Sequence, residues 1–255
     1  MFIIHILINL LIVAIELGLA AAVGLLALAW PDAFAAATAV LAVLLGLRLE
    51  LKRLAFEAPF YFEHSRGLGR FVRALFGGGH ALMKGVLAGL VALMTFAGTE
   101  TSRLQVVAGL FVVCVLVGST LLRRLTISFG ARPAHWGFFR MAAPFGLLFS
   151  AAMSFFPAPT SIDVVRRVLF ELPLKPSISQ AGEALFSLRL WIDDLIVRLL
   201  SAYAGPEWAK LIGIVIGSNV LVGFVIAIYA VVLSEVVRVL EEAHWRMRGP
   251  RPVRS

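Results

Sequence analysis

A chain of 255 residues that is 60% hydrophobic and 15% charged cannot be an ordinary soluble domain: such domains carry about a quarter charged residues and under half apolar ones. The formal charge of +8 would suggest nucleic acid in a soluble protein, but in so apolar a chain basic residues belong to cytoplasmic loops and anionic headgroups, so no nucleic-acid partner is expected. The single cysteine, Cys114, excludes a disulfide framework and a redox pair.

The apolar residues cluster in runs near the ~20 residues that cross a bilayer. The first predicted span covers about 2–30. No Lys or Arg precedes His5 and the run is far longer than a signal core, so it is expected to stay as a helix. Pro31 and Asp32 turn the chain into a second span at about 33–47, followed by a basic inner surface segment at 48–81. The third span covers about 82–98 and the fourth about 104–122, ending at Arg123 and Arg124. The fifth covers about 141–156 and stops at Pro157 and Pro159. An outer connector, 157–210, leads to the sixth span at about 211–233 and a charged tail. The expected fold class is therefore all-α: one polytopic membrane domain of about six transmembrane helices and two amphipathic interfacial helices. This arrangement puts segments 48–84, 123–140 and 238–255 on one side, with 16 of the 23 Lys and Arg residues. The basic side is normally cytoplasmic, so both termini are expected inside a cell inner (plasma) membrane.

The first amphipathic segment sets Leu68, Phe71, Val72, Leu75 and Phe76 on one helical face and Arg66, Arg70 and Arg73 on the other. Arginines opposite an apolar stripe suit an anionic leaflet, and these three are the candidate membrane-surface residues. The second lies in the outer connector. There Leu185, Leu188, Ile192, Leu195, Ile196, Leu199 and Tyr203 oppose Glu183, Ser187, Asp194, Arg198 and Ser201. Either stripe can roof the bundle or dock a partner chain.

Glu16 is the most informative polar group. It sits near mid-span, with no Lys or Arg inside any predicted span to pair with it, and a central charge costs on the order of 2.5–3.5 kcal/mol or more. Desolvation favours the neutral acid. At about 100° per residue, His5, Asn9 and Glu16 fall on one stripe, the pattern an ion or proton path would need. An isolated carboxyl without a relay fits a helix-to-helix hydrogen bond better. Asn219, beside Ser218 in the last span, is a candidate partner for Glu16 or a ligand, or another interhelical contact. The pairs Gly85/Gly89 and Gly213/Gly217, and more weakly Gly18/Ala22, have the spacing that lets helices approach closely.

No catalytic motif, cofactor signature or metal-ligand spacing is present, and Gly77-Gly78-Gly79 lacks the Lys-Ser or Lys-Thr of a phosphate loop. The expected function is a non-catalytic accessory or scaffold subunit of a larger membrane complex, more readily than an enzyme. The alternative is a small transporter or channel using the Glu16 stripe. The expected partners are the lipid bilayer and other membrane subunits or further copies of the chain.

Overall fold

The computed structural model describes residues 2–61, 68–98, 101–130, 140–156, 173 and 175–247. The described chain is helical: α1 (Phe2–Ala29), α2 (Pro31–Tyr61), α3 (Leu68–Phe96), α4 (Thr101–Phe129), α5 (Ala142–Met153), α6 (Ile178–Ala204) and α7 (Pro206–Ile216). A 3-10 turn (Ser218–Leu221) and α8 (Val222–Met247) follow. Five helical stretches are long and apolar enough to cross a membrane: Ile6–Ala29, Pro31–Leu54, Ala74–Phe96, Ser102–Phe129 and Pro206–His244. Ala142–Met153 is apolar but only 12 residues long.

Local chemistry sets several boundaries. Pro31 opens α2, where its missing N–H costs nothing, and Asp32 places a negative charge in the first turn. Ser177 and Gln180 cap α6 reciprocally, each side chain accepting the other's backbone N–H at 3.2 and 2.9 Å. Gly205, at φ +83°, turns α6 into α7, and Pro206 starts the new helix.

Small residues determine how the helices close. A Cβ built on Gly77 would lie 3.2 Å from Leu54, one on Gly85 2.3 Å from Val43, and one on Gly89 3.0 Å from Ala39. Ala81 and Gly46 complete the seam. The antiparallel α2–α3 contact therefore runs from Ala35 and Gly89 to Leu54 and Gly77. α2 continues to Tyr61 and Leu68–Phe76 forms the opening turns of α3, where the sequence suggested a separate surface segment over 48–81. Gly85 and Gly89 thus serve packing within the chain, and a Glu50–Lys84 ion pair bridges the same seam.

The last helix, α8, is the hub. Val222 and the residues from Val225 to Val231 are buried, as expected of a helix that is apolar all round. Phe34, Phe96, Phe111 and Tyr229 join α2, α3, α4 and α8 through ring contacts of 5.1–6.0 Å. The Tyr229 hydroxyl lies 3.0 Å from that of Thr38. Lipid is as apolar as these rings, so close packing and hydrogen bonds, more than burial alone, hold the helices together.

Helix directions follow from the contacts. Gly118 meets Ala230 and Arg123 meets Glu241, so α4 and α8 run parallel. Gly146 meets Val220 and Gly223 meets Ala142, so α5 runs against α8. That last contact is close: a Cβ on Gly223 would come within 1.9 Å of the Ala142 carbonyl oxygen.

Candidate functional site

The last span is interrupted. The sequence suggested one helix over 211–233, but α7 ends at Ile216 and Gly217 turns to extended backbone at φ −64°, ψ 153°. The 3-10 turn then leads into α8. With 26 residues at about 1.5 Å each, α8 is long enough to cross the ~30 Å hydrocarbon core without α7. The break then falls near one boundary of the bundle, at the ends of α3 and α5.

A break exposes backbone groups that need partners, because irregular backbone persists at membrane depth only where protein or a cavity satisfies it. Two side chains, Asp193 and Ser150, supply them here. Asp193 Oδ1 accepts the Ser218 N–H at 2.7 Å, and its Oδ2 accepts the Ser218 hydroxyl at 2.6 Å. Ser150 Oγ, from α5, donates to the Ile214 carbonyl at 2.7 Å. Arg189 holds the side chains of the turn: Nε donates to Ser218 Oγ at 2.7 Å and Nη2 to Asn219 Oδ1.

Arg189 also reaches α3. Its Nη1 donates to Thr95 Oγ1 at 2.9 Å and to the Met94 carbonyl at 3.2 Å. The last carbonyls of a helix lack intrahelical partners, and a cation there suits the helix dipole, so Arg189 caps the end of α3. It is 6% exposed. Burial lowers its pKa to about 10, the Asp193 charge opposes that shift, and the Arg103 charge adds to it. It remains a cation at neutral pH. The bundle-facing side of α6 carries Gly182 against Leu93 and Ala97, Phe186 against Gly98, then Arg189 and Asp193. Of the predicted apolar stripe, Ile192, Leu195, Leu199 and Tyr203 are exposed on the bare chain.

A cavity of 420 Å³ lies beside the break. Asp193, Gly217 and Asn219 line its break side, Met153, Phe156 and Ile214 are among its apolar walls, and Arg103 and Lys210 are its basic residues. Arg103 stacks over the Phe186 ring at 5.7 Å.

Glu16 occupies a different site. Its carboxyl is buried between α1 and α4, where Ser119 Oγ donates to Oε1 at 2.7 Å and Arg123 Nη1 to Oε2 at 3.2 Å. Arg123 Nη1 also lies 3.6 Å from Glu241 Oε1. Arg123, at the end of the fourth apolar run, supplies a cation that no predicted span held, and both neighbours donate to the Glu16 carboxyl.

The predicted polar residues do not converge. Asn9 is exposed on α1, the His5 side chain lies outside the described residues, and Asn219 bonds Arg189 rather than Glu16. Arg66 and the side chains of Arg70 and Arg73 also lie outside the described residues. Among the described residues no group of three His, Cys, Asp or Glu side chains could hold a metal ion. Sequence reasoning missed Arg189. The available signal was an arginine interrupting the apolar pattern of α6, seven residues after Gly182 and four before Asp193, which places all three on one helical face. Comparison with known proteins finds no matching family model, no matching curated relative and no matching solved structure; this is a helical membrane protein with several long apolar helices.

Proposed function

We propose that the chain is a non-catalytic accessory or scaffold subunit of a larger membrane assembly. In this reading it makes about six crossings of a cell inner (plasma) membrane, with both termini in the cytoplasm. The observation that carries the proposal is the outer face of α1. Of the five long apolar stretches, α1 buries the smallest share of itself. Ala14, Gly18 and Ala22 recur on its exposed side every four residues, and nothing lies within 4 Å of a Cβ built on Gly18. Such spacing admits another transmembrane helix at close range. The polar groups inside the bundle are taken up by its own contacts, as with Glu16, Glu50 and Thr38. Helix direction fits an even number of crossings: α4 and α8 are parallel, and α5 runs against α8. In that topology α6 lies along the outer face, its apolar stripe against lipid and Arg189 against the bundle, while the opening turns of α3 meet the inner leaflet.

The test is recovery of the full chain from its own membrane in mild detergent, with the particle mass as readout. A second membrane chain, or a second copy, should accompany it in fixed ratio. Gly18→Trp, tolerated by lipid but too large for close helix approach, should release that companion while leaving the chain folded. A lone chain recovered from the native membrane would refute the proposal. A small transporter is the second reading, favoured by the interrupted last span beside a cavity, a feature of many solute sites. Its path would pass Asn219 and leave the His5–Asn9–Glu16 stripe aside.

A further inference from the structure

Gly77, Gly78 and Gly79 stand consecutively inside α3, where each weakens the helix relative to alanine. Packing accounts for one of them. A Cβ on Gly77 would meet Leu54 and Leu51 of α2 at 3.2 and 3.4 Å, but nothing lies within 4 Å of a Cβ on Gly78 or Gly79. Nor does the backbone require them, since the positive-φ glycines among the described residues are Gly130 and Gly205. A straight α3 therefore gives no reason for two of the three.

Their position does. A ~30 Å hydrocarbon core takes about 20 helical residues. Counting back that far from Phe96, the last residue of α3, reaches Gly77, and the Glu50–Lys84 pair lies about two turns short of it. The glycines thus sit at the basic edge of the membrane. A straight helix carries Leu68–Phe76 beyond that edge, and every side chain described there is exposed: Phe71, Ala74, Leu75 and Phe76. At about 100° per residue, Phe71 and Leu75 share a stripe with Leu82 and Val86, which are exposed on the span itself. A bend toward this stripe keeps the same face on the membrane, first beside the lipid tails and then against the leaflet surface. Segment 48–84 carries seven Lys and Arg residues against three Asp and Glu, so charge favours an anionic surface.

We propose that Gly77–Gly79 is a hinge, and that Leu68–Phe76 swings on it from the axis of α3 onto a leaflet of anionic phospholipid. Phe71 and Leu75 then enter the headgroup boundary, and water and headgroups take up the helix hydrogen bonds opened at the glycines. The hinge deepens the placement of these turns at the inner leaflet, and it uses neither the outer face of α1 nor a companion chain.

The experiment uses the full chain in nanodiscs, with a nitroxide attached through Phe71→Cys. The apolar label stands in for the ring, and Cys114 is buried. Oxygen, which enters hydrocarbon, and a nickel chelate, which stays in water, compete to relax the label. Both leaflets of a nanodisc have one composition, so an inverted topology or a lone chain leaves the readout unchanged. In phosphatidylcholine with phosphatidylglycerol, oxygen should dominate. In phosphatidylcholine alone, the balance should shift several-fold toward nickel. The pair Gly78→Ala and Gly79→Ala fits open space, so it should fold at least as stably and shift the balance toward nickel even with phosphatidylglycerol present. Arg70→Gln with Arg73→Gln should shift it the same way. Equal balances in the two lipids would overturn the proposal, as would an alanine pair that changes nothing. A label shielded from both reagents, in a particle of two chains, would assign the face to a second copy and overturn it too.

Discussion

Replacing Arg189 with methionine removes a cation that is 6% exposed and serves three elements at once. Four hydrogen bonds go with it: to Ser218, Asn219, Thr95 and the Met94 carbonyl. The methionine fills much of the volume, so the loss is mainly one of polar partners. Each bond to a charged group contributes about 1.5–3 kcal/mol, and these are not additive. Breaking a buried charge constellation by removing one member typically costs about 3–5 kcal/mol. We expect Arg189→Met to destabilise the chain by that amount, and Arg189→Lys to recover only part of it, because one ammonium cannot span both α3 and the break. Denaturant unfolding of the full chain in mild detergent, followed by tryptophan fluorescence, measures the difference. Asp193→Asn provides the cross-check, since Asp193 and Arg189 share the Ser218 hydroxyl. The double variant should be less destabilised than the sum of the singles, by on the order of 0.5–3 kcal/mol. An Arg189→Met protein within about 1 kcal/mol of the wild type, below the net value of a typical bond to a charged group, would refute the network as the support of the helix break.

Gly223→Ala places a Cβ 1.9 Å from the Ala142 carbonyl and 2.4 Å from the Gly146 nitrogen. Backbone cannot change rotamer, so destabilisation of about 1–3 kcal/mol is expected, whereas Gly18→Ala should be neutral or stabilising by up to ~1 kcal/mol; similar unfolding midpoints for the two would contradict the packing. For Glu16, glutamine keeps the Ser119 bond and should leave the fold intact. Leucine deprives both Ser119 and Arg123 and should loosen α1 from α4, read as faster protease cleavage after α1; equal cleavage of the two variants would detach Glu16 from that role. Topology is checked with a cysteine at Ser102, which an impermeant thiol reagent should label from outside, and one at Ser255, which it should not. Cys114 is buried and should contribute little background, and the reverse pattern would invert the proposed orientation.

The membrane class was legible in composition alone, because a bilayer requires long apolar helices whose backbone is satisfied internally. The Gly85/Gly89 spacing was legible as a close approach for the same local reason: glycine removes the atoms that keep helices apart. The helix that fills this seam and the extension of the seam to Gly77 depended on the pairing of α2 with α3. Glu16 stood out in the sequence as an expensive group that needs a partner. The partner, Arg123, is 107 positions away and came within reach only when α1 and α4 packed antiparallel. Asn219 was visible, but the residue that holds it was not. Arg189 belongs to a segment that is amphipathic by pattern, and its burial follows from the end of α3 and the break at Gly217 meeting at one point. A helical period shows which side chains share a face. Only tertiary packing decides what that face meets, because the uncapped carbonyls of one helix and the open turn of another acquire a common partner only after the bundle has closed.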